Sequence, residues 1–259
     1  MADFLDVLAE HAKETVNQGY YEVQTGMFGP RLSLKKAILD CKQAPVIAEI
    51  KSVSPSAGIL REVLEPEALS ESYVRGGAVG ISVLTEPKHF KGSLETLVRI
   101  RRSVELPVLM KDIIMCPEQL ETASTTGADA VLLIQALFER GYCELEVGEM
   151  IARAHEHGLE VLLEVHNEQE LRSALKCEPD LIGINNRDLG TLEVDLNVTR
   201  NLLEKVDCRG RVIVSESGIK SPADVRFLGR CGAKAFLVGS AIMISVDAEQ
   251  KVRELVEAL

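Results

Sequence analysis

Short apolar runs alternate with amphipathic segments along most of this 259-residue chain. Continuous apolar runs of this kind are typical of strands buried on both faces of a parallel sheet. They predict eight strands, at residues 45–50, 79–84, 107–110, 130–134, 160–164, 181–184, 211–215 and 235–238. Helical patterns lie between and after them, at residues 66–76, 93–104, 117–125, 143–157, 168–175, 197–205, 222–230 and about 247–258.

Strands that alternate with helices indicate βαβ units and a parallel sheet. Eight repeats favour a closed (β/α)8 TIM barrel over an open doubly wound sheet, for which no early G-x-G-x-x-G turn is present. Residues 2–42 contain two further amphipathic patterns, joined near residues 20–30. We expect residues 1–44 to form a helical extension that caps one end of the barrel. No linker-like stretch divides the chain, so residues 1–259 are predicted to form one domain.

Composition and charge narrow the range of functions. Hydrophobic residues make up 46% and charged residues 27%, as in ordinary globular proteins. No apolar run reaches the length of a membrane span, and the acidic start lacks the basic residues of a signal peptide, so a cytoplasmic location is expected. The net charge of −11 argues against nucleic acid and anionic membranes as partners, but not against a small anionic substrate. The six cysteines form no C-x-x-C pair, so neither a metal nor a redox dithiol is indicated.

Polar and charged residues follow six of the eight predicted strands at their carboxyl ends. The first two, Glu49 and Lys51, are spaced so that an extended chain projects both to one side, and a structural ion pair is the alternative for this pair alone. A barrel brings such ends into one ring, where close charges perturb one another's pKa and an active site is expected. The other groups are Lys111-Asp112, Glu164 to Asn167, Asn185 to Asp188, Ser215 to Gly218, and Gly239-Ser240.

Two glycine-bearing turns indicate phosphate binding. Ser217-Gly218 follows the seventh predicted strand and Gly239-Ser240 the eighth, where many barrels present backbone N–H groups to a phosphate. Ordinary turn chemistry is the alternative for either pair alone. His166 is close to Glu164 in sequence, and a supporting role beside that carboxylate is as good an interpretation as any other.

Six motifs stand in order along the chain: EIKSVSPS at residues 49–56, LTEPKHFKGS at 84–93, PVLMKD at 107–112, LEVH at 163–166, GINNRDL at 183–189 and SESGI at 215–219. They resemble the indole-3-glycerol-phosphate synthase family of tryptophan biosynthesis, and the resemblance runs from the N-terminal helices to Met243. It implies closure of a carboxyphenylamino-deoxyribulose phosphate into an indole, with loss of carbon dioxide and water and no cofactor. The implied partner is that small sugar phosphate with its anthranilate ring, and association with other tryptophan-pathway enzymes is a further expectation.

The resemblance also implies a role for each strand-end group. Lys111 is the general acid that protonates the ketone oxygen and then assists departure of the hydroxyl, and Glu164 is the base of the dehydration. The other implied catalytic residues are Lys51, Glu49, Asn185 and Ser217. The implied substrate contacts are Ser54, Pro55, Phe90, Leu132, Arg187 and Leu189. The implied phosphate ligands are Lys51, Ser217, Gly218, Gly239 and Ser240.

Two alternatives stand beside this interpretation. A neighbouring phosphate-binding barrel enzyme, such as phosphoribosylanthranilate isomerase, would need a Cys/Asp acid–base pair at strand ends, whereas the first strand here ends in Glu49 and Lys51. A barrel that only binds a sugar phosphate or scaffolds a partner is the non-catalytic alternative, and the joint presence of Lys111 and Glu164 argues against it. Because a lysine near a second lysine has its pKa lowered, we also expect a lowered pKa for the catalytic lysine.

Overall fold

The fold is a closed barrel of eight parallel strands. The computed structural model describes residues 3–23, 28–54, 58–60 and 65–259. Each strand pairs with the next, and the last pairs with the first, which confirms the predicted (β/α)8 TIM barrel. The strands are β1 (Val46–Ile50), β2 (Gly80–Leu84), β3 (Val108–Lys111), β4 (Ala130–Ile134), β5 (Glu160–Val165), β6 (Leu181–Asn185), β7 (Ile213–Glu216) and β8 (Ala235–Val238).

Helices precede, connect and follow the strands. They are α1 (Phe4–Asn17), α2 (Leu34–Asp40), α3 (Pro66–Arg75), α4 (Leu94–Ser103), α5 (Pro117–Thr126), α6 (Gln135–Glu139), α7 (Val147–Glu156), α8 (Glu168–Cys177), α9 (Asn197–Lys205), α10 (Pro222–Cys231), α11 (Ser240–Met243) and α12 (Ala248–Val256). The helix predicted at residues 143–157 begins only at Val147, because Glu146 is its N-cap and donates its backbone N–H to the Glu149 carboxylate at 3.1 Å. Helices α6 and α11 were not predicted, since one turn is too short to show a period.

The alternation of side chains along each strand separates two apolar layers. In β1, Val46, Ala48 and Ile50 face outward to the helices, whereas Ile47 faces the barrel axis. The interior layer also contains Leu109, Leu132, Leu162, Leu181, Val214 and Leu237. A side chain two residues after such a position faces the same way, so the interior of the mouth is filled by the residues at the strands' carboxyl ends.

The two N-terminal helices lie at opposite ends of the barrel, rather than together at one end as expected. Leu34 of α2 packs on the interior layer, and the backbone N–H groups of Leu32 and Lys35 donate to Asp129 (2.8 Å) and Glu160 (2.9 Å) at the start of the strands. Helix α1 lies beside the mouth, where Tyr142 donates to Asp6 at 3.0 Å. The assignment of all 259 residues to one domain, with residues 1–44 as an extension, stays a prediction.

Within the described ranges, every helix is too short or too polar to be a candidate for crossing a bilayer.

Candidate active site

A cavity of about 800 Å³ opens at the carboxyl ends of the strands. Of the residues predicted for the site, thirteen line it: Glu49, Lys51, Phe90, Lys111, Leu132, Glu164, Asn185, Arg187, Leu189, Ser217, Gly218, Gly239 and Ser240. Pro55 lies outside the described residues, as does the side chain of Ser54. The structure therefore brings together the predicted residues that it describes in full, as the barrel topology requires.

The centre of the cavity is an ammonium between two carboxylates. Lys111 Nζ, at the end of β3, lies 3.3 Å from Glu164 Oε2 on β5 and 3.4 Å from Glu216 Oε2 on β7. Both carboxylates are almost fully buried, with 2% of each side chain exposed, while 16% of the Lys111 side chain reaches the cavity. Buried charges at this separation interact strongly because little water screens them. The group can therefore hold and exchange protons next to a bound substrate.

Glu216 was predicted only as one of the polar residues at the carboxyl end of the seventh strand, without a role in the site. Both of its carboxylate oxygens are buried without a hydrogen-bond partner among the described residues. It is the last residue of β7. The signal was available in the strand's alternation: Val214 belongs to the interior layer, so a residue two positions later also faces the cavity.

Burial and neighbouring charge push the pKa values of these groups apart. Burial lowers the pKa of Lys111, but the carboxylates of Glu164, Glu216 and Glu49 outweigh burial and hold it above its ordinary value. Burial raises the pKa of Glu164, but the Lys111 ammonium and His166 reverse this and keep the net pKa low. Burial, with the charges of Glu164 and Glu49, raises the pKa of Glu216 to about 7 despite the nearby lysine. The expected fall in the pKa of the catalytic lysine is therefore wrong, because carboxylates surround it.

Lys51 does not act on Lys111 as a free cation, because it forms an ion pair with Glu49. The Glu49 side chain is only 3% exposed and Lys51 is 17% exposed. The pair needs the absence of a side chain at Gly239, where a Cβ would lie 2.1 Å from Glu49 Oε2 and 3.0 Å from Lys51 Cε. The ion pair predicted as the alternative thus exists, and it lies within the cavity lining.

Glu164 is held from two further sides. Asn185 Nδ2, at the end of β6, donates to Glu164 Oε1 at 3.0 Å. His166 Nε2 lies 3.1 Å from the same oxygen, and its Nδ1 lies 3.2 Å from Glu170 Oε2. Both contacts fall on Oε1, so Oε2 is the oxygen that faces Lys111.

The predicted phosphate end is built from the loops after β7 and β8. Asn186 ties the first loop to the barrel by donating to Glu216 O at 2.8 Å and to Ser217 O at 3.2 Å. Ser217 has a left-handed backbone with φ 67°, a conformation that is costly for a residue with a side chain. Gly239 ends the second loop and leads into α11. Lys51 and both loops line the same cavity.

Apolar residues form another part of the cavity lining. Phe90 lies in a loop whose turn is fixed by Glu86, since this carboxylate accepts the backbone N–H groups of His89 at 2.7 Å and Phe90 at 2.9 Å. Leu132 and Leu189 line the same cavity, as do Phe4, Leu8 and Ile113. Such a wall suits an aromatic ring. Arg187 is positioned by its own backbone, which donates to Asn185 Oδ1 at 3.0 Å.

One group of three side chains in the described part of the chain has the spacing to hold a metal ion: Cys116, Glu118 and Glu144. None of the three lines the cavity. Burial raises the pKa of the Cys116 thiol to about 12, which disfavours the thiolate that a metal requires.

A sequence profile of the family described as indole-3-glycerol phosphate synthase matches residues 5–255. The chain belongs to this family. An indole-3-glycerol phosphate synthase of Methanopyrus kandleri is 46% identical over 261 residues, and the match covers 98% of each chain. One of Desulforamulus reducens is 39% identical over 244 residues, covering 94% of this chain and 91% of its own.

Among solved structures, a thiamine phosphate pyrophosphorylase from Pyrococcus furiosus superposes with a TM-score of 0.60 at 19% identity. The match covers 87% of this chain and 97% of that one. At this identity the likeness extends to the fold alone. Members of the indole-3-glycerol phosphate synthase family are carboxy-lyases of tryptophan biosynthesis.

Proposed function

We propose that the protein closes 1-(2-carboxyphenylamino)-1-deoxyribulose 5-phosphate into indole-3-glycerol phosphate. The observation that carries the proposal is the Lys111–Glu164 pair, 3.3 Å apart, in a cavity with phosphate-type loops at one end and an apolar wall at the other. The reaction needs a proton donor and an acceptor that flank one substrate carbon chain. Family membership and this geometry point to the same chemistry.

Substrate binding uses the two ends of the cavity. The phosphate lies on the loops of Ser217-Gly218 and Gly239-Ser240 with Lys51, and the anthranilate ring lies against Phe90, Leu132 and Leu189. Arg187, Ser54 and Pro55 provide further substrate contacts. Holding both ends folds the chain between them, so the ring carbon that bears the carboxylate approaches the ketone carbon.

The first chemical step forms the carbon–carbon bond. The ring carbon attacks the ketone carbon, and Lys111 gives a proton to the ketone oxygen, which becomes a hydroxyl. Carbon dioxide then leaves, and its bonding electron pair restores the aromatic ring. Because the pKa of Lys111 is raised, this lysine is an ammonium at neutral pH and can act as the acid without prior protonation.

The second step is dehydration. Glu164 takes a proton from the methylene carbon that lies between the nitrogen and the hydroxyl-bearing carbon, the new double bond completes the indole, and the hydroxyl leaves as water with a proton from Lys111. Lys111 therefore donates twice and must be reprotonated between the steps. Glu216 can return the proton, since its carboxyl lies 3.4 Å from Lys111 Nζ and its pKa is raised by burial. Asn185 and Ser217 hold the intermediate, with Glu49 and Lys51 as the remaining charged groups.

Two expectations accompany this proposal. A cytoplasmic location fits a biosynthetic enzyme that acts on small molecules, and association with other enzymes of tryptophan biosynthesis would pass the product onward. Fractionation tests the first, and co-purification with tryptophan-pathway enzymes tests the second.

The test of the activity is turnover of the carboxyphenylamino-deoxyribulose phosphate by purified protein, followed by indole fluorescence. We expect one equivalent each of carbon dioxide and indole product. Calorimetric binding of a reduced, non-cyclisable substrate analogue serves as the control for a competent site. Protein that binds the analogue but makes no indole would refute the proposed function.

A further inference from the structure

On the side of Glu164 that faces away from Lys111 lies a histidine between two carboxylates. The proposed reaction assigns no role to this histidine. His166 follows Glu164 by two residues, and its ring stands between two carboxylates. Its Nε2 is 3.1 Å from Glu164 Oε1, and its Nδ1 is 3.2 Å from Glu170 Oε2. The ring is well buried, with 13% of the side chain exposed.

We propose that His166 is a positioning residue, which Glu170 keeps as an imidazolium and which fixes Glu164 as an anion facing Lys111. The proposal rests on the proposed function, in which Glu164 is the base. His166 itself makes no contact with the reacting atoms in this arrangement. Its effect reaches the substrate through the charge and the orientation of the Glu164 carboxylate.

A carboxylate at each ring nitrogen favours the cationic form. A neutral imidazole has one N–H and one lone pair, so one of the two facing carboxylates would meet a lone pair. The imidazolium presents a proton to both. Nε2 has no hydrogen-bond partner among the described residues, so its contact with Glu164 at 3.1 Å is an attraction of charges rather than an aligned hydrogen bond.

Glu170 is built into the start of α8 and cannot turn away. Its Oε2 accepts the backbone N–H of His166 at 2.8 Å, and its own backbone N–H donates to Asn167 Oδ1 at 3.0 Å. Asn167 is the N-cap of this helix. A carboxylate at a helix N-terminus is favourably placed, and this one lies directly beside the His166 ring.

The charged groups around Glu164 do not all act in one direction. Lys111 from β3 and His166 from β5 favour its anion, whereas Glu216 from β7 opposes it. Glu49 from β1 is paired with Lys51. His166 faces Glu164 and Glu170, with Asp188 as a more distant anion whose pKa it helps to lower. Burial lowers the pKa of His166, but the carboxylates of Glu164 and Glu170 outweigh burial and raise this pKa to about 10.

The consequence is a base that releases its proton readily. When Glu164 accepts a proton from the intermediate, it loses two favourable interactions, with Lys111 and with His166. The protonated state is therefore short-lived, and the anion is restored before the next substrate binds. Oε1 is occupied by Asn185 and His166, which leaves Oε2 as the oxygen that takes the proton.

The first test does not depend on turnover. In protein labelled with 15N-histidine, His166 is assigned by its loss in His166→Asn, and its ring nitrogens should keep imidazolium shifts up to pH 8. A neutral ring at pH 8 overturns the proposal, whatever the activity. If the ring is charged but the protein forms no indole, the proposed function is refuted, whereas the assignment of His166 as an imidazolium is retained.

The second test is a pH–rate profile. His166→Asn should lower kcat about 10- to 100-fold with little change in KM, because Glu164 is less well placed. The acidic limb of kcat should move upward by about one pH unit or more, since a cation near Glu164 is lost. Glu170→Gln should move the limb in the same direction.

The matched control is His155→Asn, which breaks the exposed His155–Asp180 pair (2.8 Å) at the other end of the barrel and should change neither quantity. Lower Tm without a moved acidic limb would overturn the proposal in favour of a packing role.

Discussion

Gly183 leaves the space that the Glu216 carboxylate occupies: a Cβ at residue 183 would lie 2.0 Å from Glu216 Oε1. The two residues are diagonal neighbours on β6 and β7, where Gly183 pairs with Val214 and Asn185 pairs with Glu216. Any side chain at residue 183 would therefore push the carboxylate away from Lys111. The barrel keeps a small residue on one strand so that a charged one on the next can reach the cavity.

Gly183→Ala should consequently reduce both turnover and stability. We expect kcat to fall by about tenfold or more, because Glu216 is displaced from Lys111, and stability to fall by about 1–3 kcal/mol from overpacking. Steady-state kinetics and thermal unfolding measure the two effects. Gly148→Ala is the control, since nothing lies within 4 Å of a Cβ there and alanine in α7 should stabilise by up to about 1 kcal/mol. Adding Glu216→Ala to Gly183→Ala should recover stability; an equally unstable double variant would show that the two groups do not compete for space.

Glu216 also predicts a dependence of stability on pH. Its pKa rises from a usual value of 4.5 to about 7 on folding, so the folded state binds this proton more tightly than the unfolded state. The stability that this gives is fully present below pH 4.5 and is lost as pH rises through 7. Glu216→Gln lacks the titration, so its free energy of unfolding relative to the parent should increase by up to about 3 kcal/mol across this window.

Urea unfolding at pH values between 4.5 and 8 would measure the difference. Glu164→Gln provides the contrast, because the pKa of Glu164 is lowered on folding. Its contribution is fully present above the ordinary carboxyl pKa of 4.5 and is lost only as pH falls below that value, so the stability difference between Glu164→Gln and the parent should stay nearly constant across the measured range. A pH-independent difference for Glu216→Gln would contradict the assigned titration.

Much of the fold was predictable because it depends on local patterns. Each barrel strand is buried on both faces, so an unbroken apolar run marks it, and all eight overlap a predicted run. The opposite placement of α1 and α2 was not predictable. It rests on contacts between distant residues, such as Lys35 with Glu160, which no local pattern reports. The helices α6 and α11 were not predicted because they contain too few residues to show a helical period.

The sequence was enough to predict which strands contribute residues to the site. It was not enough to predict the pKa values of those residues. Lys111 and Glu164 stand at strand ends, where parallel strands place side chains in one ring. The pKa of Lys111 depends instead on how many carboxylates surround it and on whether Lys51 is already neutralised by Glu49. The carboxylates that act on Lys111 come from β5, β7 and β1, so their distances are set across the barrel. Two lysines at the mouth suggested repulsion, whereas the structure contains compensated pairs.

Lys111→Met should abolish most turnover while leaving the fold intact. The variant removes the proton donor but fills a similar volume, so we expect kcat to fall about 10²- to 10⁴-fold with an unchanged circular dichroism spectrum. Without the ammonium, the pKa of Glu164 should also rise, since Lys111 is the main charge that lowers it. Lys234→Met, at an exposed position just before β8, is the control and should turn over normally. Near-normal turnover by Lys111→Met would refute the role of Lys111 as the acid.

Replacing Ser217 by glycine should stabilise the protein and lower its turnover. Its left-handed φ of 67° costs about 1–2 kcal/mol in a residue with a Cβ, and glycine removes that cost. Ser217→Gly should therefore stabilise the protein by about 0.5–1 kcal/mol after the greater freedom of glycine in the unfolded chain is subtracted. Ser217→Ala keeps the strained backbone and should give no such gain.

Both variants lack the hydroxyl, so both should lose turnover to a similar extent under saturating substrate. Thermal unfolding beside steady-state kinetics separates the two effects, and equal stabilisation by alanine and glycine would show that backbone strain is not the cause.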